Sequence, residues 1–265
     1  MTIENWKQIW QQEQLELSFQ GWDFSSLSGR MEEEDLPWNY EAAVTSYMRR
    51  NKGNLLDMGT GGGEFLLSLS PPRDRTYATE AYPPNVELCS KRLPPYGIEL
   101  RQVFSDEVLP FGDGFFDLII NRHEAFSVRE VHRILRPGGV FITQQVGGRN
   151  NRALSEFLLG DSAAAADEAF HMEQVSDDLR QGGFTILQAE EAFPVLRFRD
   201  IGALVCFAAI VEWEFPGFSV EQCFDKLCEL QNTLMQQGYI ESTEHRFLII
   251  AVKQPEGIPD GPQIT

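Results

Sequence analysis

Between residues 52 and 148 the chain alternates short apolar segments, typical of strands, with amphipathic segments, typical of helices. Alternation at this spacing implies right-handed crossovers between parallel strands, and so a sheet covered by helices on both faces. Two further strand-like segments follow later in the chain. The predicted strands are residues 54–59, 76–82, 98–104, 115–123, 140–146, 184–193 and 245–253. The sequence therefore predicts an α/β fold with a doubly wound, Rossmann-like sheet.

Capping signals predict where several helices begin and end. Ser127 with Glu130, and Ser219 with Gln222, fit the capping-box spacing. Asp200 precedes the apolar run 201–211, which predicts a buried helix with an aspartate N-cap. We expect a helical prefix in residues 1–36, followed by one domain over residues 37–265 with a helical insertion at about residues 199–240.

Charge and hydropathy limit the classes of partner. The 265 residues carry a formal net charge of −18. Nucleic-acid binding needs basic side chains to neutralise phosphates, and an anionic membrane surface repels an acidic protein, so both partners are disfavoured. The longest apolar run is shorter than the roughly 20 residues needed to cross a bilayer. No basic-then-apolar signal peptide opens the chain, so we expect a soluble, cytoplasmic protein.

The cysteines do not indicate a metal site. Cys89, Cys206, Cys223 and Cys228 form no C-x-x-C pair, and no histidine cluster accompanies them. We expect reduced thiols, most of them buried, and no bound metal.

The most informative motif is the glycine turn after the first predicted strand, NLLDMGTGGGEF at residues 54–65. Such a cluster indicates that the backbone turns sharply or meets a ligand closely. The dinucleotide fingerprint G-x-G-x-x-G fails in both registers, because it would require glycine at Glu64 or at Leu66. The sequence instead reads D-x-G-x-G-x-G from Asp57 to Gly63.

This pattern resembles that of class I S-adenosylmethionine-dependent methyltransferases of the type 11-like group, and further motifs match in order over about residues 40–148. The resemblance implies a mostly parallel seven-stranded sheet whose last strand is antiparallel, with S-adenosyl-L-methionine as cofactor. It places the glycine turn against the amino-acid and ribose parts of the cofactor, and Glu80 on the ribose hydroxyls. The implied cofactor-binding residues are Asp57, Gly59, Thr60, Gly61, Gly63, Glu80, Ala81, Asp106 and Asn121.

The catalytic group is less defined, because methyl transfer depends mainly on positioning and needs a base only if the acceptor must lose a proton. The segment NRHEAFS at residues 121–127 follows the fourth predicted strand and would face the methyl group in the family's architecture. His123 is the candidate base and Glu124 its candidate orienting partner. Alternatively, His123 is a loop histidine that packs against the cofactor or the prefix.

Aromatic and polar residues of the prefix and the adjoining segment suggest a lid over the pocket. The candidate substrate and lid residues are Trp22, Ser25, Arg30, Trp38 and Tyr40. Arg30 is suited to pair with a carboxylate of the cofactor or of a substrate. The alternative is that the aromatic residues simply pack against the edge of the sheet.

These features together predict an S-adenosylmethionine-dependent methyltransferase that acts on a small-molecule acceptor by in-line methyl transfer. Two alternatives stay open, namely an RNA or protein methyltransferase, and a catalytically silent cofactor-binding protein. The sequence predicts neither the acceptor nor the oligomeric state.

Overall fold

The computed structural model describes residues 3–16, 27–163, 167 and 169–255. In chain order its helices and strands are α1 (Ile3–Glu16), β1 (Met31–Glu33), α2 (Tyr40–Arg50), β2 (Leu55–Met58), α3 (Glu64–Ser68), β3 (Thr76–Glu80), α4 (Pro83–Arg92), β4 (Ile98–Gln102), β5 (Phe116–Arg122), α5 (Val128–Ile134), β6 (Leu135–Val146), α6 (Arg152–Leu159), α7 (Met172–Gln181), β7 (Phe184–Ala192), β8 (Val195–Phe198), α8 (Ile201–Ile210), α9 (Val220–Gln237), β9 (Ile240–Thr243) and β10 (Arg246–Lys253).

The chain forms two compact units, and each is built from several segments. Unit 1 comprises Met1–Pro37, Val146–Phe170 and Ala192–Arg246. Unit 2 comprises Trp38–Gln145, His171–Glu191 and Phe247–Thr265. Unit 1 thus contains both the predicted prefix and the predicted insertion.

Unit 2 contains the sheet predicted from the strand–helix alternation. Its strand order is β4-β3-β2-β5-β6-β10-β7, and each of the seven predicted strands supplies one of its members. Strand β2 pairs in parallel with β3 and with β5, and β5 pairs in parallel with β6. One strand of the seven is antiparallel. The predicted Rossmann-like fold is confirmed.

Apolar side chains from both faces of this sheet form the core of unit 2. On one side Tyr40 and Val44 of α2 pack with strand residues that include Ile120 and Ile142. On the same face Cys89 and Leu93 pack with a small group from α3, β3 and β4, and the opposite face carries buried residues such as Leu56, Ile119 and Phe141. The strands need apolar residues on both faces because helices cover both, which accounts for the fully buried pattern of β2.

The predicted capping box at Ser127 is wrong in its hydrogen bonds. Ser127 is the N-cap of α5, but its side chain caps no backbone N–H and its hydroxyl donates to Glu107 Oε2 at 3.3 Å. The Glu130 carboxylate accepts instead from the Leu109 backbone N–H, at 2.6 Å, and binds Arg133. Glu130 therefore binds the loop after β4 to α5. The contact supplies the hydrogen-bond acceptor that the buried Leu109 N–H needs.

Unit 1 holds a small antiparallel sheet that the sequence did not indicate, with strand order β1-β8-β9. Its helices α8 and α9 begin as predicted, since Asp200 accepts from the Ala203 N–H at 2.8 Å and Ser219 from the Gln222 N–H at 3.2 Å. Gly238 ends α9 with a φ of 83°, a conformation that glycine adopts without steric cost.

The core of unit 1 joins the N-terminal segment to the late helices. Trp10 of α1 and Leu27 are buried in the same cluster as nearly all of α8. Trp10 also contacts the Phe224 ring of α9, with 5.9 Å between ring centroids. Residues 3–16 and 27–33 are thus part of the hydrophobic core of this unit.

A contact between Gly147 and His245 holds the segment Val146–Phe170 of unit 1 in place near its start. Gly147 lies directly under the His245 ring, so any side chain at this position would clash with it. The buried His245 ring also stacks on Phe193, with 4.7 Å between centroids, and its Nδ1 accepts from the Arg149 N–H at 3.2 Å. This packing explains why the chain has glycine where it leaves β6.

Within the described part of the chain, no helix combines the length and the apolar character that a bilayer-spanning segment requires.

Candidate active site

Three glycines give the turn after β2 its shape. Gly59, Gly61 and Gly63 have φ values of 67°, 60° and 81°, in the left-handed region that other residues enter only at a cost. The D-x-G-x-G-x-G spacing thus places glycine at every residue from Asp57 to Gly63 whose φ is positive. The turn passes from the carboxyl end of β2 into α3.

The Glu80 carboxylate, at the end of β3, binds this turn to its own strand. Oε2 accepts from the Gly61 N–H at 2.7 Å, and Oε1 accepts from the N–H groups of Ala81 and Tyr82, each at 2.9 Å. Glu80 is buried, with 6% of its surface exposed. A carboxylate with several backbone donors is held in one orientation, so the glycine turn and the end of β3 form one rigid edge.

Asp57 and Thr60 lie buried at the same edge. Burial raises the pKa of Asp57 to about 7, the Thr60 hydroxyl and the Arg122 guanidinium lower it, and the Glu80 carboxylate raises it. The Thr60 hydroxyl lies close enough to the Asp57 carboxylate to lower its pKa, although Thr60 Oγ1 makes no hydrogen bond of ordinary geometry among the described residues. Thr60 is thus a neighbour of the Asp57 carboxylate at this edge.

Asn121 ends the buried part of β5, opposite Met58 in the register. Its side-chain Oδ1 accepts from Thr143 Oγ1 at 2.8 Å and from Gln145 Nε2 at 2.6 Å. Its Nδ2 is buried and has no acceptor among the described residues. The two donors to Oδ1 fix the orientation of the amide. The Nδ2 group can therefore donate to an acceptor atom of a bound ligand.

Glu124, three residues further along, points at the glycine turn. A Cβ atom built on Gly59 would fall 2.5 Å from Glu124 Oε2, so the two groups are in direct contact. Burial raises the pKa of Glu124 to about 7, and the carboxylates of Asp106 and Glu80 raise it further. Burial, followed by the charge of Glu107, raises the pKa of Asp106 as well.

His123 has an exposed side chain and a φ of 58°. Its backbone N–H donates to the Gln144 carbonyl at 2.8 Å, and its ring Nε2 lies 3.3 Å from Gln144 Nε2. Glu124 contacts Gly59, and its predicted role as the group that orients His123 stays a prediction. Whether His123 acts as a base stays a prediction.

The predicted lid residues fall in different places. Trp38 Nε1 donates to Gln144 Oε1 at 2.8 Å, and the Tyr40 hydroxyl donates to the Asn121 carbonyl at 3.0 Å. Both lie in unit 2, and burial followed by the charge of Asp57 raises the pKa of Tyr40. Trp22 and Ser25 lie outside the described residues.

Arg30, in unit 1, is already paired with carboxylates of the chain. Its guanidinium donates to both carboxylate oxygens of Asp200, at 2.9 and 2.5 Å, and to both of Glu13, at 3.1 Å each. In this structure the pairing that the sequence suggested for a ligand carboxylate is made within unit 1.

Sequence reasoning missed three polar residues of β6, namely Thr143, Gln144 and Gln145, all of them buried. Gln145 Nε2 donates to Asn121, to Thr143 and to the Glu124 carbonyl. Gln144 connects the rings of Trp38 and His123. The signal was present, since three polar residues in a row within an otherwise apolar central strand indicate a buried polar site.

Comparisons with known proteins agree with this architecture. Residues 56–143 match a family model described as a methyltransferase domain. The uncharacterized methyltransferase YcgJ of Bacillus subtilis is 32% identical over 118 residues, which are 41% of this chain and 47% of that protein. The chain thus spans about half the length of the curated relatives it matches.

Solved structures show the same fold. A candidate methyltransferase from Bacillus halodurans aligns with a TM-score of 0.57 at 17% identity, over 82% of this chain and 100% of that one. The [4+2]-cyclase SpnF aligns with a TM-score of 0.52 at 18% identity, over 94% and 96% of the two chains. Residues 56–143 therefore carry a methyltransferase domain, and the sheet order and the glycine turn with its carboxylates agree with that match.

Proposed function

We propose that this protein binds S-adenosylmethionine at the glycine turn and transfers its methyl group to a small-molecule acceptor. The observation that carries the proposal is the edge formed by Gly59–Gly63 and Glu80, beside the Asn121 Nδ2 atom, which has no acceptor among the described residues. A rigid edge at the carboxyl ends of the strands is typical of a cofactor site in an open α/β sheet.

The chemistry of the residues fits this cofactor. Carboxylates suit its hydroxyl and cationic groups because they offer several acceptor sites, and Glu80, Asp57 and Glu124 supply them within one edge. Positive-φ glycines leave backbone atoms open to close approach. When bound, the cofactor would supply a methyl group made electrophilic by its sulfonium.

The residues of the chain would then position the acceptor and exclude water. Asn121 is fixed by Thr143 and Gln145, and His123 by Gln144. These contacts hold two polar side chains at the end of β5 through the neighbouring strand β6. Positioning of this kind supplies much of the rate of a displacement reaction.

A small-molecule acceptor is favoured over RNA by the net charge of −18. A function without methyl transfer is the second candidate, because the cyclase SpnF has a similar fold and a fold does not determine a reaction. The acceptor itself is best sought by incubating the protein with labelled cofactor and metabolite extracts.

The direct test is isothermal titration calorimetry with S-adenosylmethionine, S-adenosylhomocysteine and NAD. We expect saturable binding of the first two and none of NAD. Binding of NAD, or of none of the three by folded protein, would contradict the proposal. Cofactor binding without label transfer to any metabolite pool would favour the second candidate.

A further inference from the structure

The carboxylates around the glycine turn differ in how their charge is compensated. Glu80 accepts three backbone hydrogen bonds, which satisfy it and hold it in place. Asp57 is fully buried and is influenced by the Arg122 guanidinium. Glu124 contacts Gly59, yet its carboxylate accepts no hydrogen bond from the residues that the structure describes.

The surroundings of Glu124 are strongly acidic. Asp106 faces it from the loop after β4 and Glu80 from the end of β3, and the Glu80 carboxylate in turn acts on Asp57 of β2. The cationic Arg122 and the imidazole of His123 lie on the same strand end, and the guanidinium of Arg122 is directed at the Phe65 ring, 3.9 Å from its centroid. β6 contributes only uncharged amides at this point.

A second and independent observation points to a ligand at this acidic edge. Asn121 is wholly buried, and its Nδ2 has no acceptor among the described residues. Asn121 is the last buried residue of the same strand, β5, that Glu124 follows. A donor left unsatisfied beside a carboxylate without a donor favours a ligand that carries an acceptor and a positive charge together.

We propose that Glu124 makes this site selective for the positively charged sulfonium form of the cofactor over its neutral thioether product. The inference rests on the proposed cofactor and concerns which of its two states binds more tightly. A carboxylate without a donor gains most from an arriving cation, and it gains nothing comparable from an uncharged sulfur. Methyl transfer removes that charge, so the same residue would weaken the hold on the product.

The number of protons released when a ligand binds provides a test of this selectivity that requires no methyl transfer. Because the pKa of Glu124 is about 7, a large share of the protein carries a proton there at neutral pH. A cation bound beside Glu124 stabilises the ionised form, so its binding displaces that proton. Binding of the neutral product would displace less.

The experiment compares S-adenosylmethionine, S-adenosylhomocysteine and sinefungin, an analogue with an amine in place of the methylsulfonium, by calorimetry at pH 7. Titrations in buffers with different ionisation enthalpies report the number of protons released. The wild type should bind both cationic ligands more tightly than the thioether and release more protons with them. In Glu124→Gln the preference should fall by about tenfold, and the difference in proton release should disappear.

Two further variants complete the test. Glu124→Asp keeps the charge and should keep most of the preference. Glu107→Gln removes one charge from the same acidic region, at an exposed side chain beside Asp106, and should leave the preference unchanged. An unchanged preference in Glu124→Gln, or an equal loss in Glu107→Gln, would overturn the assignment to Glu124. Failure of the wild type to bind any of the three ligands would overturn the proposed cofactor itself.

Discussion

The Glu124 side chain occupies the space beside the Cα of Gly59, so that a Cβ there would lie 2.5 Å from Glu124 Oε2. Gly61, two residues later, has the same left-handed backbone but open space where its Cβ would be. The two glycines are therefore required for different reasons, one for conformation and contact, the other for conformation alone.

This difference predicts unequal costs of alanine substitution. Gly61→Ala should lower the free energy of unfolding by about 1–2 kcal/mol, the cost of a left-handed non-glycine residue. Gly59→Ala should cost more, because it also displaces Glu124. Chemical denaturation followed by circular dichroism measures both. In a Glu124→Ala background the extra cost at Gly59 should vanish, and its persistence would show that Glu124 is not the obstacle.

Removal of the Glu80 carboxylate should affect both ligand and turn. In Glu80→Ala we expect S-adenosylmethionine affinity to fall by about 1–3 kcal/mol, the scale for hydrogen bonds to a charged group. Hydrogen exchange at the Gly61 amide should become faster, because that N–H loses its acceptor. Glu99→Ala, which removes an exposed carboxylate paired with Arg101, is the control. Unaltered affinity in folded Glu80→Ala would remove Glu80 from the site.

The backbone of His123 allows a test that needs no methyl acceptor. Because its φ is 58°, His123→Gly should be more stable than His123→Ala by about 1 kcal/mol. At Arg129, exposed within α5, the order should reverse by about the same amount, since glycine disfavours a helix. Thermal unfolding of the four variants measures both differences. The same order at both positions would contradict the assigned conformation of His123.

The pairing of Arg30 predicts a structural role in unit 1. Arg30→Ala should lower the free energy of unfolding by about 1–3 kcal/mol, because it leaves Glu13 and Asp200 without their charged donor. Lys91→Ala breaks an exposed pair with Glu87 and should cost less than about 0.5 kcal/mol. Cofactor affinity should not change in either variant. A large loss of affinity with intact stability in Arg30→Ala would instead restore the role of Arg30 as a ligand-binding residue.

The stability of the protein should fall as the pH rises from about 5 to about 8. Burial gives Asp57, Glu124 and Glu244 pKa values of about 7 in the folded protein, above those of exposed carboxyls. A raised carboxyl pKa contributes stability that is complete below the unfolded value and is lost as the pH passes the folded value. Asp200 and Glu130 have lowered pKa values, so their contribution to stability is lost only when they are protonated at a pH below this range.

Melting temperatures across this pH range check the sign. Glu124→Gln cannot ionise, so its profile should be flatter than that of the wild type, whereas Glu107→Gln should retain the wild-type slope. A wild-type profile that rises between pH 5 and pH 8 would contradict the prediction.

Sequence periodicity sufficed for the main sheet but not for the small one. Each of the seven strands of the main sheet comes from an apolar segment next to a turn signal, as in LLDM followed by glycines. Strands β1, β8 and β9 have three or four residues each, too short for an alternating pattern to stand out. Their pairing depends on contacts between distant segments, which no local pattern encodes.

The site was predictable to a similar extent. Motif spacing predicted the glycine turn and Glu80, since the turn directly follows β2 and Glu80 is the last residue of β3. The contact of Glu124 with Gly59 and the hydrogen bonds of Gln144 and Gln145 join side chains from different strands. Such contacts depend on side-chain direction, which the sequence does not specify.

Unit 2 is built from three segments of the chain, so a shortened protein keeps a complete main sheet only if it keeps all three. A fragment that encodes residues 38–145 would include the glycine turn and Glu80 but would lack β7 and β10. Strand β6, central in the sheet, would then become an exposed apolar edge, and such edges promote aggregation between chains. A shortened form of the protein therefore has to retain the segment from Phe247 to Lys253, because β10 covers this edge of β6. The same holds when the glycine turn and its strands are transferred to another protein.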